Sequence, residues 1–95
     1  MPAIPERDGL LNHGRNAGGP GRRAAAVTPS DTVDLPTYAK ALYVGAAGNV
    51  RVLTVGNEDG EAVIFANHPV GWLPVQARRV LATGTTAAQI VAAFD

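Results

Sequence analysis

The sequence predicts an all-β domain, a small antiparallel β-sandwich or barrel of about six to seven short strands, carried behind an extended N-terminal arm. Three observations lead there. Short segments rich in Val, Leu, Ile and Tyr recur after residue 40, and Gly- or Pro-containing turns part them about every 8–12 residues. Apolar and polar positions alternate with a period of two through several of these segments, the spacing of a strand rather than a helix. The first 26 residues instead hold five glycines and three prolines, which interrupt any regular period.

The stretch 40–66 reads as three antiparallel strands joined by two turns, Gly45-Ala46-Ala47-Gly48-Asn49 and Gly56-Asn57-Glu58-Asp59-Gly60. Pairing Val44 with Val50 and Val55 with Glu61 brings Leu42 against Val52 and Val52 against Ile64. One face then carries Leu42, Val44, Val50, Val52 and Ile64, and the other Tyr43, Arg51, Leu53, Val63 and Phe65. A sheet buried on one side only shows a polar second face. Here both faces are apolar, so the second is covered as well, by the rest of a sandwich or by a neighbouring subunit.

The flanking segments complete the set. Residues 24–28 offer an edge strand. Thr28-Pro29-Ser30-Asp31 is a turn, or Ser30 or Asp31 caps a short helical turn. Residues 31–38, with Pro36 inside, stay extended or irregular. After the turn Asn67-His68-Pro69-Val70-Gly71 comes an extended run at Trp72, whose Pro74 is confined to an edge or a bulge. Residues 75–83 form the longest remaining strand, and the adjacent Arg78 and Arg79 call for a bulge that turns Val80 or Leu81 inward. Residues 84–88 are a loop or one helical turn, and the β-branched Ile90 and Val91 tilt 90–94 to a strand.

Ninety-five residues make one domain at most, divided here into an arm, 1–26, ordered only on a partner, and a β domain, 27–95. Cysteine is absent, which excludes a disulfide framework and a Cys-based zinc site, and only His13 and His68 are histidine ligands. No apolar run approaches a membrane span and the N-terminal residues have no apolar signal core, so the expected setting is assembly in the bacterial cytoplasm without a membrane partner. The net charge of zero hides an asymmetry. Arg7, Arg15, Arg22 and Arg23 against Glu6 and Asp8 give the arm +2, while the body carries −2. Neither excess, in an arm without aromatics, suits nucleic acid.

The residues hold no convincing catalytic set. Ser30, the only serine, lacks a nucleophile-elbow sequence, and His68 before Pro69 is a turn residue. Glu58, Asp59 and Glu61 form a solvated hairpin tip without a calcium-loop pattern. The glycines close hairpins and precede no phosphate-binding helix. The expectation is therefore no enzyme, no metal and no cofactor. The residues singled out are for contacts. In the arm, Leu10 and Leu11 are the apolar anchor and Arg15, Arg22 and Arg23 the basic one. On the body, Tyr43, Leu53, Phe65, Trp72, Arg78 and Arg79 are the expected subunit contacts, the two arginines toward an acidic tip on a neighbour. Trp72 alternatively lines a sugar site, and Tyr43 over Arg51 is a cross-strand cation–π pair. A body of about 70 residues without disulfide or metal is marginal alone, which leaves oligomerisation as the stabilising device.

Four runs carry a family resemblance: VTPSDTVDL at 27–35, ALYVG at 41–45, LPV at 73–75 and RRVLATGTTA at 78–87. In order and spacing they resemble the phage spike base protein family, found in tailed phages and in phage-like gene transfer agents. The resemblance covers about residues 27–95 and implies a β-rich, non-enzymatic virion protein. It implies a subunit of a ring at the base of a head spike, a homo-oligomer and by vertex symmetry a pentamer, with the major capsid protein and a spike fibre protein as partners. The arm lies outside the resembling pattern, and its capsid-binding role is an expectation from its residues. Two other functions fit the same residues: a carbohydrate-binding β-module for host-surface attachment, and a tail or baseplate component.

Overall fold

The structure is a computed structural model and describes residues 2–12, 14 and 19–95. Arg15 and His13, both named above, lie outside the described residues. Among the described residues seven strands form two antiparallel sheets that pack as a small β-sandwich: β1 (Arg23–Ala26), β2 (Ala41–Ala46), β3 (Gly48–Thr54), β4 (Val63–His68), β5 (Gly71–Leu73), β6 (Ala77–Val80) and β7 (Ala88–Phe94). The first sheet runs β1-β7-β2-β5 and the second β4-β3-β6. Among the described residues the one helical turn is a 3-10 turn at Pro5–Arg7 in the arm.

The core follows from the alternation. Leu42 and Val44 of β2, Val50 and Val52 of β3, Leu73, Val80, Ile90 and Ala92 point between the sheets and are buried together. Val27, Leu35, Phe65, Val75 and Phe94 close its rim. No buried side-chain nitrogen or oxygen among the described residues lacks a hydrogen-bond partner.

The three-strand meander expected over 40–66 is corrected at its first turn. β2 and β3 are not a hairpin. Gly45 and Ala46 continue β2, the chain crosses at Ala47, and β3 starts at Gly48 in the other sheet. The four residues Leu42, Val44, Val50 and Val52 do share one core, but they meet across it rather than side by side. The crossing rests on glycine. A Cβ at Gly48 would lie 2.6 Å from the Ala87 nitrogen and 2.8 Å from Thr86 Oγ1. The Thr86 and Ala87 amides both donate to the Asn49 carbonyl there, and Thr86 Oγ1 accepts from the Asn49 amide.

The second hairpin is present with its register moved by one. Val52 faces Val63 and Arg51 faces Ile64. A slip of one exchanges faces, so Val63 and Phe65 turn to the core side and Ile64 turns outward. The displacement is absorbed by an irregularity between Gly48 and Val50, opposite which Asn67 adopts a left-handed φ of 54°.

The bulge expected at the paired arginines is found. β3 advances one residue from Leu53 to Thr54 while β6 goes from Arg79 to Ala77, which leaves Arg78 as the extra residue. Val80 and Leu81 are both buried as a result. β5 stops before Pro74 and is an edge strand. The strand at the end of the chain is not at the end of a sheet: β7 lies between β1 and β2. Its other neighbour, β1, is the edge strand expected over 24–28, found at Arg23–Ala26 within the stretch grouped with the arm.

Candidate functional site

Two surfaces are built by this arrangement. The first is the outer face of the β1-β7-β2-β5 sheet. Because Leu42, Val44 and Ile90 point inward, Tyr43, Val91 and Trp72 point out, with Ala24, Ala26, Ala41 and Ala93 around them. Tyr43 and Trp72 face each other across β2 and β5, their rings edge to face at 5.2 Å between centroids and 66° between planes. Trp72 remains 59% exposed. The chain before β1 crosses this face. Gly21 lies so close to it that a Cβ there would be 3.0 Å from the Ala93 Cβ. Between residues 19–24 on one side and Trp72 and Pro74 on the other runs an open groove of about 630 Å³, with Lys40 and Ala93 among its lining. Lys40 Nζ donates to Asp95 Oδ1 at 2.8 Å.

The second surface is a charged network on the other sheet. Arg79 Nε donates to Asp34 Oδ1 at 2.7 Å, and Arg78 Nη1 to Asp34 Oδ2 at 3.1 Å. Arg78 also reaches the hairpin tip, where Nη2 donates to Asp59 Oδ1 at 2.7 Å and to the Asn57 carbonyl. Asp31 accepts from the Thr83 amide and hydroxyl at 2.8 and 2.7 Å. The hydrogen bond from Arg79 holds the Asp34 carboxyl below the usual carboxylate range, with Arg78 adding to it. The Thr83 hydroxyl does the same for Asp31, and the Asp59 hydrogen bond raises Arg78. Backbone bonds from Ser30 to Val80 and from Leu35 to Arg78 run along the same strand. Segment 30–35 is thus sewn onto β6.

Several expected contacts are revised by this geometry. Arg78 and Arg79 pair with Asp34 of their own chain, and Arg78 also with Asp59 at the tip of the β3–β4 hairpin, with the bulge at Arg78 beside segment 30–35. Leu53 is 0% exposed. It lies beside Arg79 where that segment is fastened, so it has no surface for a neighbour. Phe65 is half-buried against the core rim. Tyr43 stacks on Trp72, not over Arg51. The arm's Leu10 and Leu11 are exposed, whereas Arg22 pairs with Asp8 and Arg23 lies over the Phe94 ring at 4.6 Å. Arg22 thus ties Asp8 of the arm to the start of β1, and Arg23 packs within the sheet on β7.

The residues that sequence reading missed are Asp31 and Asp34. Their partners are 44–52 residues away in the chain, and no local spacing announces them. Ser30 does what its turn position implies: its hydroxyl accepts from the Thr32 and Val33 amides. Among the described residues no group of three or more His, Asp or Glu side chains is placed to hold a metal, and no helix is long and apolar enough to cross a membrane.

No family model matches the chain, and no curated protein matches it. Among solved structures it is similar to a chain of the capsid of a native gene transfer agent particle, computed with C5 symmetry. The two are 32% identical, the match covers 90% of this chain and 98% of that one, and the TM-score is 0.78. The chain belongs to the family of this gene transfer agent capsid component, and it is a virion structural protein.

Proposed function

We propose that the protein is a subunit of a homopentameric ring at the base of a capsid spike, seated on a vertex and joining the capsid to a spike fibre. The observation that carries this reading is the near full-length similarity to a component of a particle whose capsid was computed with fivefold symmetry. Two features support it. The Tyr43–Trp72 face is too apolar for a surface that meets only water. The arm presents Ile4, Leu10 and Leu11 to the outside, while Arg22 and Asp8 hold it in one place. In this arrangement the arm meets the major capsid protein and the ring receives the fibre. The test is electron microscopy of particles carrying labelled protein, alongside a variant lacking residues 1–20. Label at the vertices, lost on truncation while the purified ring persists, is the expected result. Label on the tail overturns the head assignment, and normal decoration by the truncated protein overturns the role of the arm. The deletion stops at residue 20 because β1 belongs to the sheet.

Carbohydrate binding is a second reading, favoured by one observation: the exposed Trp72 ring borders an open groove. Binding to a glycan array that is lost in Trp72→Ala would establish it. An array that stays silent would remove it.

A further inference from the structure

Among the described residues four strand edges end the two sheets, and two of them are covered or cut short. The β6 edge is covered by segment 30–35 through the Ser30 and Leu35 amides. The β5 edge is three residues long and runs into Pro74. The β1 edge is exposed along its length and carries a basic end, Arg22 and Arg23. Among the described residues the β4 edge has neither cover nor proline, and only the left-handed Asn67 near its end interrupts it. It is six residues long, Val-Ile-Phe-Ala-Asn-His, without a formal charge or a proline. Ile64 is 49% exposed and Val63 nearly as much. A long, uncharged, apolar edge is a template for another strand, since its outward amides and carbonyls have no other partner of the same geometry.

We infer that the free edge of β4 receives the β1 edge of a second copy, strand beside strand in parallel. This rests on the ring reading above and names the surfaces that would close the ring. Three facts select that occupant. The first is position. Segment 27–35 ties β1 to the β6 side of the sandwich, and only Pro69 and Val70 separate β4 from β5. The two edges are therefore on opposite sides of the molecule. Surfaces that are complementary but opposite make a head-to-tail contact, the kind that generates rings rather than closed pairs. The second is length. With the Arg22 and Val27 amides bonded to β7, the β1 segment is extended over 22–27, six residues against the six of β4. The third is charge. Glu58 and Glu61 stand in the turn that leads into β4, and Arg23, which has no ion pair among those described, begins β1. Parallel pairing sets Arg23 beside this acidic turn. Antiparallel pairing sets it beside Asn67 and His68 and leaves the carboxylates unmatched. The basic arm end and the acidic body thus find each other between copies.

The test uses the full chain, followed by native mass spectrometry and sedimentation over a concentration series, with far-UV circular dichroism and thermal melting for folding. Wild type should assemble. The double variant Ile64→Lys and Ala66→Lys replaces exposed groups only, so it should keep its melting behaviour as a monomer and lose the oligomer. Arg23→Glu and Glu58→Arg should each raise the concentration for half-assembly by about tenfold or more. Combined in one chain they should restore it. If wild type assembles and all of these variants assemble equally well, this interface is wrong and the ring stands on other surfaces. If wild type stays monomeric throughout the series, the ring reading falls and this inference with it.

Discussion

Arg79 and Asp34, joined at 2.7 Å across 45 residues of chain, hold together two segments that no strand pairing connects. Asp34 also receives Arg78, which in turn grips the hairpin tip at Asp59. Two loops and the strand β6 therefore meet at one carboxylate. Replacing Asp34 with Ala should lower the melting temperature and should increase proteolytic cleavage in 30–35 and 56–61 together. Loss confined to one loop would show that the network does not act as a unit. Salt should weaken the wild type more than the variant, since the pairs are partly open to solvent.

The same acids set an acid limit. Asp31 and Asp34 both have folded-state pKa values below their unfolded ones. The unfolded chain then binds more protons, and stability falls as pH falls. Their contribution should be complete above the ordinary carboxylate pKa, about 4, and should drain away as pH drops through the lower folded values. Urea midpoints at fixed protein concentration should stay level from neutral pH to about 5 and decline below that. A double Asp31→Asn and Asp34→Asn variant should start lower at neutral pH and decline less steeply.

Leu53→Ala tests the revised place of that side chain. A fully buried leucine should cost about 2–5 kcal/mol in unfolding free energy, read from urea denaturation. A subunit-contact residue would leave the isolated fold intact and weaken assembly alone.

Gly48→Ala should cost about 1–3 kcal/mol by overpacking, because the new methyl meets the Ala87 backbone where the chain changes sheets. The equivalent change at Gly56, which has open space around it, should cost much less and serves as the control.

Trp72→Ala should remove an edge-to-face aromatic pair worth about 0.5–1.5 kcal/mol, leaving the fold in place. Incorporation into particles should nevertheless drop sharply if this face meets the capsid or the fibre. Normal incorporation would make Trp72 a stabilising partner of Tyr43 and nothing more.

The sequence made some of this plain and hid the rest for definite reasons. Period-two alternation put Leu42, Val44, Val50 and Val52 on one face, with Ile64 wrongly among them, and it could not say whether the four lay side by side or face to face, since both arrangements bury the same side chains. Gly45 and Gly48 looked like a hairpin turn. Gly45 is instead needed because Gln89, opposite it on β7, has a left-handed φ of 55°, and a Cβ at Gly45 would lie 2.8 Å from the Gln89 Cβ. Arg78 and Arg79 demanded a bulge, and the bulge is there. Their acidic partners were invisible, because Asp34 is near them only in the folded chain. Trp72 could be marked as exposed or buried only once Tyr43 was known to lie across from it.

The position of β7 has an effect on how the molecule comes into being. It is the last strand in chain order, yet β1 and β2 are both zipped to it. Until residues 88–94 have left the ribosome, the first sheet has no middle, and its greasy inner residues wait unsheltered. Folding must be a late, largely all-at-once event, with slow closure of distant segments. A nascent chain stalled in the β6 region should be held by chaperones, and one released with all of β7 exposed should not.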